Sequence, residues 1–445
     1  MTTDLSKAPS GRTCRSERLA RSTLMLVLCW PIMGHGAPAD IVISHAKLLS
    51  PPETVIEDAT VVVTNGKITY AGPAREAGTA KRAIDAHGRA VIPGLIDTHV
   101  HLNIDTLESQ QQYDEWVQQR AATQLREYLK RGFTTIQSLG DYWPGILDLR
   151  EKISHGEING PRLLVAGPLI TPPYGHAAAY APKCATVPFC RETGWYREVE
   201  DEAQARALIR DLAARHADGI KVANEPTTSP EGKPLGFAPG VLRALIEEAH
   251  EHQLRVYVHP ASVDYAIEAI QAGADALAHG PGIEFFMPPP ATPDVLMDRL
   301  VEAAAQHHTS ISTTIVGWGV DYLEPEKANL VFRHVKQLLD RGIPLSFGTD
   351  NVGRVDSMKE FAALSKTGLT PMQILQVATL NAAREIGREK EIGSLEPGKV
   401  ADLAILALDP LQSIDFLDRI DLVIRNGRVV FDYFGEGVRK MPAGR

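Results

Sequence analysis

Both ends of the chain carry short runs in which apolar and polar residues alternate, with turn residues between the runs. The first runs, IVISHAKLLS and ATVVVTNGKITYAG, contain an Asn-Gly pair at positions 65–66. Near the C-terminus, ADLAILAL and DLVIRNGRVVFDYF repeat the pattern, with another Asn-Gly pair at 426–427. Alternation of period two and Asn-Gly turns are typical of β-hairpins. We predict that residues 40–92 and 397–445 together form one small β-sandwich domain.

The region between these ends alternates short apolar runs with helical patterns. Eight such runs occur, in the order GLIDTHVH, TTIQSLG, RLLVAGPLI, GIKVAN, RVYVHP, ALAHG, SISTTI and LSFGTD. Segments such as EAQARALIRDLAARH place an apolar residue every three to four positions, which indicates amphipathic helices. Eight strands that alternate with helices predict an α/β chain with a (β/α)8 TIM barrel over residues 93–396.

The first 39 residues differ from the rest. Arg15, Arg18 and Arg21 precede an apolar stretch at residues 24–33, and small residues follow around Ala37 and Ala39. This order is typical of a secretory signal peptide, so residues 1–39 are predicted to be removed and the product to be periplasmic or secreted. The alternative is a disordered N-terminus without a targeting role. No later stretch approaches 20 apolar residues, and we expect no membrane contact after cleavage.

Composition narrows the choice of partners. The chain has 44% hydrophobic and 23% charged residues, as ordinary globular proteins do, and its net charge is −9. No cluster of Lys and Arg is interleaved with aromatic residues, so nucleic acid is excluded as a partner. We expect a small-molecule amide or peptide as the partner, and assembly of the chain as a homo-oligomer.

Cysteine usage fits the predicted export. Cleavage would remove Cys14 and Cys29 and leave Cys184 and Cys190 as the remaining thiols, in the segment KCATVPFC. In an oxidising compartment such a pair predicts a disulfide that closes a short loop. Spacing alone does not establish the geometry, and two unpaired buried thiols are the alternative.

Residues able to bind a metal follow or end five of the predicted strands. Barrel enzymes keep their active sites at the C-terminal ends of the strands, so these side chains should meet on one rim. His99 and His101 are two positions apart and therefore face the same side of their strand. The alternatives are that Asp350 caps the next helix and that Lys221 points outward. The candidates are His99, His101, Lys221, His259, His279 and Asp350.

Several blocks of the sequence resemble the signatures of the amidohydrolase superfamily, in its imidazolonepropionase-like and prolidase-like branch: VIPGLIDTHVHL, ADGIKV, VYVHP, DALAHG, SFGTD and IGSLEPGKVADLAIL. The resemblance implies two divalent metal ions, with zinc as the expected metal. His99, His101 and Asp350 would hold the more buried ion, and His259 and His279 the more exposed one. Carboxylated Lys221 would bridge the two, which argues against imidazolonepropionase itself, a member with one metal.

The resemblance also implies a mechanism. A hydroxide that bridges the metals would attack the substrate carbonyl, and Asp350 would move the proton to the leaving group. His176, in Tyr174-Gly175-His176, resembles a Gly-Gly-His element of the branch and is interpreted as a catalytic substrate or oxyanion contact, or as a simple loop histidine.

The predicted function is cleavage of an amide or peptide bond in a dipeptide or N-acyl amino acid, including bulky aromatic amides. The alternative is a cyclic-amide, lactone or ester hydrolase on the same site. A binding protein on a degenerate barrel is disfavoured by the intact set of ligands. Arg191 and Arg354 are candidates for binding a substrate carboxylate. The predicted walls of the pocket are Tyr174, Tyr180, Phe189, Trp195 and Trp318.

Overall fold

The computed structural model describes residues 39–228, 232, 234–280, 282, 292–317 and 319–433. The predicted signal peptide up to residue 38, with Cys14 and Cys29, lies outside the described residues, as does Trp318. Within the described part, no helix is long and apolar enough to cross a membrane.

The N-terminal strands form antiparallel hairpins around a long first strand. They are β1 (Ala39–Ser50), β2 (Thr54–Thr64), β3 (Lys67–Pro73), β4 (Ala80–Asp85) and β5 (Ala90–Pro93). Strand β1 pairs with β2 along one edge and with β4 and β5, in parallel, along the other. The predicted turn between β2 and β3 is confirmed, and Asn65 and Gly66 both have positive φ, which a two-residue hairpin turn requires.

The described part of the central region contains the eight predicted parallel strands in the predicted order, and four additional short strands, two of which pair antiparallel with each other. They are β6 (Leu95–His101), β7 (Phe133–Ser138), β8 (Arg162–Val165), β9 (Leu169–Thr171), β10 (Tyr196–Glu198), β11 (Gly219–Asn224), β12 (Thr227–Thr228), β13 (Pro234–Leu235), β14 (Arg255–Pro260), β15 (Ala276–Leu277), β16 (Ser310–Ser312), β17 (Leu345–Ser346) and β18 (Asn351–Val352). Neighbouring strands follow the orders β18-β6-β7-β8 and β10-β9-β11-β14-β15-β16-β17.

Backbone hydrogen bonds link the last of these strands to the first. The N–H of Thr98 donates to the carbonyl of Phe347, and the N–H of Asp350 donates to the carbonyl of His99, both at 2.9 Å. The third predicted strand is divided into β8 and β9, which pair with β7 and β11 respectively. The predicted (β/α)8 TIM barrel is confirmed. The division of the third strand and the additional short strands β10, β12, β13 and β18 are the departures from the prediction among the described strands.

Helices follow the strands and cover the barrel with their apolar faces. In α7, for example, Val241, Leu245 and Ala249 are buried, at the spacing of one helix face. The helices are α1 (Gln110–Trp116), α2 (Ala122–Lys130), α3 (Gly145–Ser154), α4 (His176–Tyr180), α5 (Pro188–Thr193), α6 (Glu202–Ala214), α7 (Val241–Glu251), α8 (Val263–Ala272), α9 (Pro293–His307), α10 (Pro325–Asp340), α11 (Ser357–Ser365), α12 (Pro371–Gln376) and α13 (Ala382–Glu385).

The C-terminal strands return to the N-terminal sheet. They are β19 (Leu403–Leu406), β20 (Ile420–Arg425) and β21 (Arg428–Asp432). The sheet has the order β21-β20-β19-β5-β1-β2-β3, so both ends of the chain contribute to it as predicted. Its inner face buries Ile43, Val61, Ile405 and Leu422 in a core separate from that of the barrel.

Candidate metal centre

The predicted ligands converge at the C-terminal ends of the barrel strands. His101 ends β6, Lys221 lies within β11, and His259 is the penultimate residue of β14. His279 follows β15 by two residues, and Asp350 lies between β17 and β18. These five side chains line one cavity of about 570 Å³, and His99 is fully buried behind it.

Asp350 contacts both histidines of β6. Its Oδ1 lies 3.3 Å from Nε2 of His99 and 3.4 Å from Nε2 of His101. With zinc–ligand bonds of about 2.1 Å, tetrahedral ligand atoms are about 3.4 Å apart, so these three donors fit one cation. Burial alone would raise the pKa of Asp350, but His99 and His101 outweigh burial and hold it well below the usual value. The carboxylate is therefore charged and able to ligate.

Asp350 adopts an unusual backbone conformation, with φ of 52°. Few residues other than glycine tolerate this region, and aspartate is one of them. Space around the loop is also limited, because a Cβ on Gly317 would lie 2.7 Å from the Cβ of Asp350. The backbone conformation thus places the carboxylate of Asp350 beside the Nε2 atoms of His99 and His101.

Backbone carbonyls orient the two histidines of β6. Nδ1 of His99 lies 3.0 Å from the carbonyl of Ala278, and Nδ1 of His101 lies 2.9 Å from the carbonyl of Gly140. A carbonyl only accepts, so each Nδ1 carries the proton and donates it. Each Nε2 therefore has a lone pair with which it could hold a cation, as metal-binding histidines normally do.

Lys221 is buried beside His99. Its side chain is among the largest fully buried ones, and Nζ lies 3.1 Å from Nε2 of His99. Burial lowers the pKa of Lys221 to about 7, although Asp350 and Glu385 act in the opposite direction. The neutral amine is accordingly accessible near neutral pH, which is what carboxylation by carbon dioxide requires.

Five imidazole rings form a continuous row across the cavity. Their centroids are 5.3 Å apart from His101 to His99, 4.7 Å from His99 to His279, 4.7 Å from His279 to His259, and 4.2 Å from His259 to His176. Burial lowers the pKa of His259 to about 4 and that of His99 and His279 well below the ordinary value. The three rings are therefore neutral and can act as ligands at physiological pH.

Glu225 belongs to this centre, and the sequence analysis did not identify it. It follows β11 by one residue, and its Oε2 lies 2.5 Å from Nδ1 of His176 and 3.2 Å from Nε2 of His259. Burial opposes ionisation, but hydrogen bonds from the two histidines lower the pKa of Glu225 well below its ordinary value. Its one available signal was its position four residues after Lys221, on the same side of an extended strand.

Asp97 supports the ligands from below and was also missed. It is fully buried and accepts hydrogen bonds from the backbone N–H of His99 at 3.2 Å and from the hydroxyl of Thr349 at 2.7 Å. Burial raises the pKa of Asp97 to about 8, against those hydrogen bonds. The residue ties β6 to the loop that carries Asp350.

Some of the predicted substrate-contacting residues line the cavity in the structure, and others do not. Tyr180, Trp195 and Arg354 line the cavity, whereas Arg191 forms an ion pair with Glu192 and is not among the lining residues. Tyr174 and Phe189 are not among them either; Phe189 stacks on Tyr142 at 6.0 Å. Tyr322, which the sequence analysis did not single out, also lines the cavity and is almost fully exposed.

Cys184 and Cys190 are joined in a disulfide in the segment after the third strand. Both residues are buried, and the hydroxyl of Tyr142 donates to Sγ of Cys190 at 3.2 Å. Gly194 packs so closely that a Cβ there would lie 3.0 Å from both sulfur atoms. The disulfide is part of the packing that holds this segment beside the cavity.

A TIM barrel with histidine and carboxylate donors at its strand ends defines a metal-dependent hydrolase. The chain belongs to the amidohydrolase family, whose family model matches residues 90–430, and it is a hydrolase that acts on carbon–nitrogen bonds. The predicted membership of the imidazolonepropionase-like and prolidase-like branch is likewise confirmed.

Three relatives illustrate the likeness. The chain is 26% identical to imidazolonepropionase of Geobacillus kaustophilus over 426 residues, which cover 84% of this chain and 91% of the relative. A Xaa-Pro dipeptidase with bound methionine is 24% identical, with a TM-score of 0.69 over 87% of this chain and 99% of that one. Ochratoxinase of A. niger is 20% identical, with a TM-score of 0.72 over 89% and 96%. The two structural likenesses concern the fold.

Proposed function

We propose that this chain is a binuclear amidohydrolase that cleaves the amide or peptide bond of a dipeptide or an N-acyl amino acid. The observation that carries the proposal is the set of donors around one cavity: His99, His101 and Asp350 form one compact group, and the rings of His259 and His279 lie 4.7 Å apart. Lys221 is buried beside His99 and lines the same cavity. Carboxylated Lys221 would bridge two cations, expected to be zinc. When bound, the cations polarise the substrate carbonyl and lower the pKa of water towards neutrality.

Asp350 is the residue placed to move the proton. Its side chain is about one quarter exposed and lines the cavity, so a water and the leaving nitrogen can both reach it. The carboxylate takes the proton of the nucleophile and delivers it to the nitrogen as the carbon–nitrogen bond breaks. His176 faces the same cavity and offers a contact to the carbonyl oxygen of the substrate.

The cavity supports a substrate with an apolar group and a free carboxylate. Its volume of about 570 Å³ suits a small molecule, and Tyr180, Trp195 and Tyr322 provide aromatic walls. Arg354 also lines it and forms no ion pair with any described residue, so its guanidinium is available for a carboxylate. A dipeptide or N-acyl amino acid with an aromatic side chain satisfies both features.

A combined metal and substrate experiment tests the proposal. The purified protein should contain two cations per chain by mass spectrometry of the metals, and should hydrolyse dipeptides or N-acyl amino acids in a panel followed by liquid chromatography. Asp350→Asn is the inactive control. One cation in the active wild-type protein would refute the binuclear centre, and exclusive turnover of lactones, cyclic amides or esters would refute the substrate class.

We also propose that residues 1–39 are a signal peptide and that the mature chain is periplasmic or secreted. The disulfide between Cys184 and Cys190 supports this, because disulfides persist in oxidising compartments. Fractionation of producing cells, followed by N-terminal sequencing of the mature chain, tests it. An intact N-terminus in the cytoplasmic fraction would contradict export. Light scattering of the same sample tests the expected homo-oligomer.

A further inference from the structure

Glu225 places one carboxylate oxygen between two imidazole rings. Oε2 is the atom that contacts both Nδ1 of His176 and Nε2 of His259. All three side chains are at least two-thirds buried, so the contacts are largely removed from water. A carboxylate accepts and does not donate, so a hydrogen bond between Glu225 and either ring requires the proton to be on that ring nitrogen.

The short contact is a hydrogen bond rather than a sign of two ligands on one cation. With metal–ligand bonds of about 2.1 Å, two ligands of one cation are about 3.0 Å apart at a right angle and about 3.4 Å apart at the tetrahedral angle. The distance of 2.5 Å between Glu225 and His176 is below this range and closer to the roughly 2.7–2.9 Å of a charge-assisted N–H···O hydrogen bond. The 3.2 Å contact with His259 lies inside the range, and we assign it as a hydrogen bond because the same oxygen already accepts from His176. His176 therefore donates to Glu225.

The other histidines of the centre are also held by a hydrogen bond at one ring nitrogen, but at Nδ1, whereas His259 is held at Nε2. His99 and His101 are anchored through Nδ1 by backbone carbonyls, and Nδ1 of His279 lies 2.9 Å from the hydroxyl of Thr314. His259 has Nε2 paired with Glu225 instead. A histidine anchored through one nitrogen binds a metal through the other, so the pairing assigns Nδ1 of His259 to the cation.

We infer that Glu225 is a positioning residue that orients His259 towards the more exposed cation and His176 towards the substrate. By accepting the Nε2 proton of His259 it fixes the tautomer that ligates through Nδ1. By accepting the Nδ1 proton of His176 it directs Nε2 of that ring into the cavity. The inference rests on the proposed function for the more exposed cation. Because one oxygen serves both rings, metal binding and substrate contact are coupled through it.

Variants at position 225 test the metal half of the inference. Carboxylates that anchor metal-binding histidines typically contribute 10-fold to 100-fold to metal affinity. We expect Glu225→Ala to weaken the second cation by about that factor in competition with a chelator, and to leave the first cation unchanged. Glu225→Gln, whose amide oxygen can still accept one hydrogen bond, should lie between. The matched control is Glu268→Gln, because Glu268 is exposed, accepts a hydrogen bond from Asn224 and does not line the cavity.

Histidine tautomers give a readout that does not depend on a bound metal. Long-range ¹⁵N NMR of the metal-free protein should show an Nε2–H proton on His259 and an Nδ1–H proton on His176, with resonances assigned through single substitutions. In Glu225→Ala both preferences should weaken. A thermal melt of each variant checks that the fold is retained, and Glu225→Gln serves if Glu225→Ala does not fold.

The outcomes separate this inference from the proposed function. One cation in the wild-type protein refutes the binuclear proposal, and the NMR measurement still decides the role of Glu225. Two cations in the wild type, with unchanged affinity for both in Glu225→Ala and Glu225→Gln, overturn the inference alone. The opposite tautomer of His259 in the metal-free wild type, with the proton on Nδ1, also overturns it.

Discussion

Replacing Lys221 by methionine should make the metal-free protein more stable and, at the same time, prevent it from binding the second cation. Methionine has nearly the shape of lysine but no charge and no amine. Lys221 is only 2% exposed, so the substitution removes an ionisable group from the interior while filling the same space. It also removes the atom on which a bridging carbamate would form.

The magnitude follows from the pKa of Lys221. Burial lowers this pKa from 10.5 to about 7. At about 1.36 kcal/mol per pKa unit, the difference corresponds to about 5 kcal/mol that opposes burial of the charged form. Unfolded Lys221 is protonated at pH 7, so folding of the metal-free wild type bears most of this penalty. We expect Lys221→Met to raise the free energy of unfolding at pH 7 by a few kcal/mol, with about 5 kcal/mol as the upper limit.

The lowered pKa of Lys221 also determines how the free energy of unfolding of the wild type changes with pH. Between about pH 7 and pH 10.5 the unfolded chain retains the Lys221 proton that the folded chain has lost, so the stability of the wild type rises with pH in this window. Below about pH 7 both states hold the proton, and the contribution of Lys221 to stability is at its minimum. Lys221→Met lacks this dependence, so the stability difference between the two proteins should shrink as the pH rises.

Urea unfolding of chelator-treated protein at pH 7 and pH 9 measures the effect. Metal analysis of the same variant should show one cation in place of two, together with loss of hydrolysis. Lys81→Met is the control, because Lys81 is mostly exposed and its substitution should change stability by about 0.5 kcal/mol or less. The reasoning is wrong if Lys221→Met is less stable than the wild type at pH 7, or if both proteins show the same slope with pH.

Three further predictions concern the chemistry, the substrate and the disulfide. Asp350→Asn should keep the fold and part of the metal but lower kcat by about 10²–10⁴-fold, because the amide cannot accept the proton; near-normal kcat would exclude the proton-transfer role. Arg354→Gln should raise KM about 10-fold or more for substrates with a free carboxylate and leave their C-terminal amides unaffected; equal effects on both would exclude a carboxylate contact. Serine at Cys184 and Cys190 should lower stability by about 2–4 kcal/mol at most in thermal melts, and thiol titration of the unfolded, unreduced mature protein, which lacks Cys14 and Cys29, should find no free thiol.

The elements of the fold could be predicted from the sequence because their signals are local. The Asn-Gly pairs at 65–66 and 426–427 specify hairpin turns through positive φ, and both turns occur in the structure. The division of the third strand was not predicted. Val165 ends β8, and Gly167, with φ of 73°, precedes Pro168, which has no N–H for a strand ladder. The run RLLVAGPLI has no polar residue after Arg162, so its periodicity does not reveal the break.

The ligands could be predicted because all but Lys221 lie near or just beyond the end of an apolar run, and Lys221 is a charged residue inside one. Their hydrogen-bonding partners could not be predicted in this way. Asp97 acts through Thr349, 252 residues later in the chain, and Glu225 acts through His176, 49 residues earlier. Neither pair has a local spacing that marks it. A lone carboxylate near a strand end is usually solvated, so only the folded barrel distinguishes these two from the others.

The sequence indicates the orientation of the ligand side chains even less clearly, because backbone atoms that follow other strands determine that orientation. The ring of His99 is set by the carbonyl of Ala278, after β15, and the ring of His101 by the carbonyl of Gly140, after β7. Every residue has a backbone carbonyl, so these contacts cannot be predicted from the residue types in the sequence. They form only when β6 lies in its correct place in the barrel. Local sequence motifs therefore identify the donor residues of the candidate metal centre. The direction in which each donor atom points depends on the assembled barrel, because it is set by the registers of strands that lie far apart in the chain.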